Sequence, residues 1–150
     1  MLKALRKSGR LFPALLMMVT GGCGMHGSSE NLIEAVMNMD DARVRQLVES
    51  GANIDAPDRK LQTPLILAAK TDQFRMAEYL ISKGANVMAA SKFGWTVGYA
   101  AQNSMLVRGP EAEARDRVLE QLRQRGYPFP AAEPAAVKAM LAEGRWPPAA

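Results

Sequence analysis

Apolar side chains recur along this chain in small groups three and four residues apart. Leu32, Ala35 and Val36 form one group, Val44, Leu47 and Val48 the next, followed by Leu65, Ala68 and Ala69, then Met76, Ala77, Leu80 and Ile81. Such spacing gathers one apolar stripe on the face of an α-helix. Polar and turn-forming residues separate the groups, so the pattern predicts short helices in pairs. In the second pair, Thr63 caps a helix whose first residue is Pro64, where a missing N–H costs nothing. Its companion runs from about Phe74 to Lys83 and stops at Gly84, a residue able to adopt positive φ. The first pair follows the same plan, with Asp40 or Asp41 capping its second helix and Gly51 ending it.

The groups are copies of one unit. Ser50-Gly51-Ala52-Asn53-Ile54 returns as Lys83-Gly84-Ala85-Asn86-Val87 after 33 residues, and Thr63 returns as Thr96. A fixed period of this size marks a stack in which no unit buries its apolar face alone. Thr63-Pro64-Leu65-Ile66-Leu67-Ala68-Ala69, followed by Gly84-Ala85-Asn86-Val87, resembles the ankyrin repeat in both its helix opening and its loop. The resemblance covers about residues 31 to 103 well and 104 to 130 poorly. It implies an all-α solenoid of helix–turn–helix units joined by short β-hairpin-like loops, with about three repeats and a degenerate C-terminal cap. The sequence departs from the family pattern at Ile66, where a His is usual, at Met39 and Asp72, which replace an inter-helix Gly, and at Val97-Gly98, which replace Pro-Leu. A left-handed backbone at Met39 costs about 1 kcal/mol, and less at Asp72, since Asp tolerates that region better.

Repeat three is expected to be irregular. Arg117-Val118-Leu119-Glu120-Gln121-Leu122 with Gly126 mirrors Arg75 to Leu80 with Gly84, but at an offset of 42, so nine residues are inserted between Asn103 and Glu113. The expectation is a longer loop between two helices. Pro110, Glu111 and Glu113 open the second of these, and Arg123 and Arg125 close it, an order that complements the helix dipole. A last helix is expected from Pro134 to Glu143, with Val137, Met140 and Leu141 on one stripe. The repeat domain then spans residues 30–130, and residues 131–150 form a cap helix and tail, contributing little to the core.

Ahead of the repeats stands a different signal. Lys3, Arg6, Lys7 and Arg10 precede the nine-residue apolar run Leu11 to Val19. A basic stretch before an apolar stretch of that length reads as a secretory signal peptide over residues 1–22, too short to span a bilayer. Val19-Thr20-Gly21-Gly22-Cys23 resembles the bacterial lipobox, although Thr20 stands where Leu is usual. The resemblance implies that Cys23 is lipidated and starts the mature chain; the plain alternative is an incidental thiol beside an ordinary cleavage site. Residues 23–29 read as a lipidated tether. Gly24 rather than Asp after the cysteine is similar to the outer-membrane outcome of enteric sorting.

Export changes the charge argument. The chain has 19 Lys and Arg against 15 Asp and Glu, but four of those cations and no acid precede Cys23, so the mature part is formally neutral. Neutrality argues against a nucleic-acid partner, which needs a retained basic patch. Catalytic chemistry is sparse. His26 is the single histidine, in the tether, so no Ser/His or Cys/His pair and no zinc-spaced cluster arises. Asp40-Asp41 reads as a helix cap, and Asp55 and Asp58 as turn chemistry around Pro57. No catalytic residue, metal site, cofactor or small-molecule substrate is expected.

The family resemblance implies a protein-binding surface at the hairpin tips and the exposed face of each repeat's first helix. Carried onto this sequence, those tips are Asp58 to Gln62 and Ser91 to Trp95. Candidate partner-binding residues are Arg59, Lys60, Gln62, Lys92, Phe93 and Trp95, the two aromatics flanking Gly94 as interface anchors. The competing reading folds both rings back over repeat three to cover the gap left at Gly98. Tyr99, in the place of the family His, is expected to be structural. The function expected is a lipid-anchored, periplasm-facing adaptor or inhibitor of another protein in the bacterial envelope, including the immunity type that neutralises a toxin. The alternative is a structural or stress-defence stabiliser of an envelope complex.

Overall fold

The structure, a computed structural model, describes residues 28–148. The signal segment, Cys23, His26 and the tether up to residue 27 lie outside the described residues. Within them are seven helices: α1 (Ser28–Met37), α2 (Asp41–Glu49), α3 (Pro64–Lys70), α4 (Phe74–Ser82), α5 (Val97–Gln102), α6 (Pro110–Gln124) and α7 (Pro134–Ala142). Ser28 and Ser29, assigned above to the tether, are therefore the first turn of α1. No strand forms among the described residues, and Ala90 and Thr96 make an isolated antiparallel bridge.

Local chemistry sets the helix starts. Thr63 Oγ1 accepts from the Ile66 N–H at 3.3 Å, and Thr96 Oγ1 accepts from the Tyr99 N–H at 3.2 Å. Asp40, not Asp41, caps α2 by accepting from the Arg43 N–H at 2.9 Å. Between paired helices the chain turns through the left-handed region at Met39 and Asp72, both at φ 57°. The missing glycines are thus replaced by residues that carry the strain expected of them.

α1, α3 and α5 form one row, each paired with its following helix, and α4 packs against α6 in the second row. Leu32, Leu65, Leu80 and Ile81 are fully buried and Leu47 nearly so, all within one core. That core continues through Phe74, Val97, Val118 and Leu122 into repeat three. The stack is therefore one body, as expected for units that hide their apolar faces against each other.

Repeat three differs from expectation in three ways. The insertion is not mainly a loop: the connection Asn103–Gly109 has seven residues against three between α3 and α4, while α6 has fifteen against nine for α4. More of the added chain thus enters the helix than the loop, where Ala112 and Ala114 are buried. On α7 only Val137 is buried, while Met140 is half-buried and Leu141 exposed, so the stripe docks by one residue. Lastly, the tail contributes to the core. Trp146 Nε1 donates to the Met88 carbonyl at 2.8 Å, and its ring meets Tyr127 edge-on at 6.5 Å.

Candidate protein-binding face

Each hairpin tip is built around one short polar side chain. Asp58 Oδ1 accepts from the backbone N–H groups of Lys60 and Gln62, both at 2.8 Å, and Oδ2 accepts from Gln62 Nε2 at 3.1 Å. In the second tip Ser91 plays this part, its Oγ accepting from the Phe93 and Trp95 N–H groups at 3.3 and 3.0 Å. Across each tip a backbone bond closes the turn, from Asp58 N to Gln62 O at 3.0 Å and from Ser91 N to Trp95 O at 2.9 Å. Successive tips are then tied together, because Lys92 N donates to the Lys60 carbonyl at 2.8 Å. Gly94, at φ 81°, passes so close to the start of α7 that a Cβ would overlap the Pro134 carbonyl.

This framework sorts the candidate residues. Arg59, Lys60 and Lys92 are exposed, and Phe93 keeps half of its surface in solvent. Gln62 is not available to a partner: it is 6% exposed, held by Asp58 on one side and accepting from Lys70 Nζ at 2.8 Å on the other. It braces the first tip. Trp95, one period after Gln62, is half-buried in the same inward-facing position. Its ring meets Tyr99 edge-on at 5.3 Å, with Lys70 Nζ 4.8 Å from its centroid.

Neither aromatic covers Gly98. The ring of Tyr127 occupies that space so closely that a Cβ on Gly98 would overlap it. The Tyr127 hydroxyl donates to Thr96 Oγ1 at 2.8 Å, and burial pushes its pKa up from 10.0 while the bond to Thr96 partly offsets this. Phe93 and Trp95 are thus left free of the covering role.

Trp95 and Tyr99 form one wall of a pocket of about 250 Å³, whose other sides come from Lys70, Asp72, Asn103 and Met105. Reading the sequence missed Lys70 as part of this face and treated Tyr99 as purely structural. A signal was present, since both lie on first helices whose outward face borders the hairpin row. A second groove, of about 340 Å³, lies on the opposite row between α2, α4 and α6. There Arg117 grips Glu78 through two bonds of 2.7 and 3.0 Å, which raises the arginine pKa, and the Arg45 guanidinium stacks 4.3 Å from the Tyr79 ring. These cations are engaged internally. Among the described residues no group of three His, Cys, Asp or Glu side chains could hold a metal, and no helix is long and apolar enough to cross a membrane.

Comparison with known proteins agrees with the fold. A family model described as ankyrin repeats (3 copies) matches residues 4–107. The chain is 42% identical over 62 residues to an ankyrin repeat and LEM domain-containing protein 1 homolog of Caenorhabditis elegans, covering 41% of this chain and 9% of that protein. It is 33% identical over 73 residues to the ankyrin repeat protein OPG189 of monkeypox virus, covering 49% of this chain and 13% of that protein. The matched region thus spans only a small part of each relative, and neither relative is bacterial.

Proposed function

The chain belongs to the ankyrin-repeat family, whose repeats generally mediate protein–protein interaction, and from that premise we propose that it is a non-enzymatic binding module exported to the bacterial envelope. In this reading Cys23 is acylated, the repeats face the periplasm from the outer membrane, and the module acts as adaptor or inhibitor of one envelope or periplasmic protein. The observation that carries the binding part is the pair of tied hairpin tips, which leave Phe93 half exposed and set Trp95 with Tyr99 in a pocket wall. Half-exposed aromatics on a hydrogen-bonded frame supply contact area at reduced ordering cost, the property of interface anchors. The export part is supported by the basic and apolar segments before Cys23 and by the small residues Gly21 and Gly22 at the cleavage position.

One capture experiment tests the binding part. Wild-type chain is crosslinked in envelope extracts beside Trp95→Ala, and the captured protein is then titrated against both. Losing an aromatic anchor of this size contributes about 2 kcal/mol, a tens-fold weaker complex, with circular dichroism and melting temperature nearly unchanged. Full-strength binding by folded Trp95→Ala moves the interface elsewhere, and capture of no protein ends the reading. A large co-purifying assembly in place of one partner favours a structural stabiliser. Mass spectrometry of native protein tests the anchor: a diacylglyceryl group on an N-terminal Cys23 is expected, and an unmodified thiol or another mature start overturns it.

A further inference from the structure

The hairpin edge carries a small excess of cations. Arg59, Lys60 and Lys92 project from the two tips, and Lys70 stands at the end of α3 beside Trp95. Asp58 and Asp72 also lie on this edge, and Glu34 shares a pocket with Arg59, so four cations stand among three carboxylates. Asp58 accepts three hydrogen bonds inside its own turn, and Asp72 Oδ1 accepts from Ser104 Oγ at 2.7 Å. Ion pairs among the described residues lie elsewhere: Arg115 with Asp116, Arg117 with Glu78, Arg123 with Glu120 and Arg145 with Glu143. Among the described residues none of the four edge cations lies within ion-pair distance of a carboxylate. Because Lys92 N bonds the Lys60 carbonyl, the backbones of the two lysines are held side by side.

We infer that this edge recognises an acidic, extended segment of a partner protein, with one aromatic or large apolar side chain of that segment seated against Trp95 and Tyr99. The inference rests on the binding function proposed above and names the chemistry of the partner. An excess of cations along one edge favours an acidic chain over a basic one. A concave pocket of about 250 Å³ between α3 and α5 suits a side chain of a protein segment better than a flat anionic bilayer. Lys70, its ammonium over the Trp95 ring and donating to Gln62, lines this pocket together with Asp72.

The test uses the full chain and three fluorescent peptides with the same central Leu-Phe, flanked by glutamates, glutamines or lysines. The glutamate peptide is expected to bind about ten-fold more tightly than the glutamine peptide, with the lysine peptide weakest, and the advantage shrinks as salt rises. A chain carrying Lys60→Glu and Lys92→Glu reverses that order without a change in melting temperature, since both side chains are exposed. Trp95→Ala weakens all three peptides together. Equal binding of the three peptides, or binding of none, overturns the inference. So does lysine-dependent binding to phosphatidylglycerol vesicles without any peptide preference, which assigns the edge to a membrane surface. A natural partner held through Trp95 but indifferent to the double charge reversal overturns this inference alone and leaves the binding function standing.

Discussion

Repeats two and three begin alike and are completed by different means. Both open with a threonine whose hydroxyl caps a short helix. In repeat two Pro64, Leu65, Ile66, Ala68 and Ala69 are then all buried, so the first helix packs with its own side chains. Repeat three has Gly98 at the place of Leu65, leaving a hole that its own helices do not fill. Tyr127, from beyond α6, enters that hole and anchors its hydroxyl on the same threonine that caps α5. Trp146 and Phe129 then pack on Tyr127. Repeat two is thus specified locally, while repeat three depends on residues far along the chain.

The strongest way to break this comparison is to remove core volume from repeat two. Leu80 is fully buried in the shared core, so Leu80→Ala is expected to cost about 2–5 kcal/mol. In so short an array the loss should appear as one cooperative drop across the whole domain in thermal circular dichroism. A fall of only a degree or two would mean that repeat two tolerates the cavity and that the units melt separately.

Filling the hole in repeat three tests the other side. Gly98→Ala places a methyl on the Tyr127 ring, an overpacking expected to cost about 1–3 kcal/mol. Combining it with Tyr127→Ala should make the added methyl nearly free, so the two costs are strongly non-additive. Additive costs in urea unfolding would show that the ring does not owe its place to the glycine.

The caps sharpen the contrast at smaller scale. Thr63→Ala removes a cap and is expected to cost about 1 kcal/mol. Thr96→Ala removes the equivalent cap and also orphans the buried Tyr127 hydroxyl, adding about 1 kcal/mol or more. Equal costs for the two substitutions in denaturant melts would contradict the role given to Tyr127.

The smallest effect is one of pH. Burial raises the Tyr127 pKa above 10.0, so the folded chain holds this proton where the unfolded chain releases it. The associated stability is complete below about pH 10 and declines as the pH rises from there through the raised folded value. Wild type should therefore lose stability on the alkaline side faster than Tyr127→Phe does. Parallel decline of both proteins would mean that the phenol ionises as easily folded as unfolded.

The exposure of most of the hairpin-tip residues was legible in the sequence. Asp58 and Ser91 lie one period apart, each opening a tip, and Arg59, Lys60, Lys92 and Phe93 are exposed where the repeat pattern puts tip residues. Gln62 was misplaced because a long polar side chain usually reaches solvent, whereas here Asp58 and Lys70 satisfy both ends of its amide within the fold. The same inward-facing register explains why Trp95 is only half exposed.

By itself the sequence determined the period, the helix pairing, the capping threonines and the left-handed turns at Met39 and Asp72, because each depends on residues close together in the chain. Only the tertiary structure decided how repeat three closes, which tip residues a partner can reach and that the two tips are tied through Lys92 and Lys60. Those outcomes depend on contacts across 31 residues between Thr96 and Tyr127, and across 58 between Met88 and Trp146. Local spacing carries no record of such contacts, because shape and unsatisfied polar groups select the distant partner only once the neighbouring helices are in place.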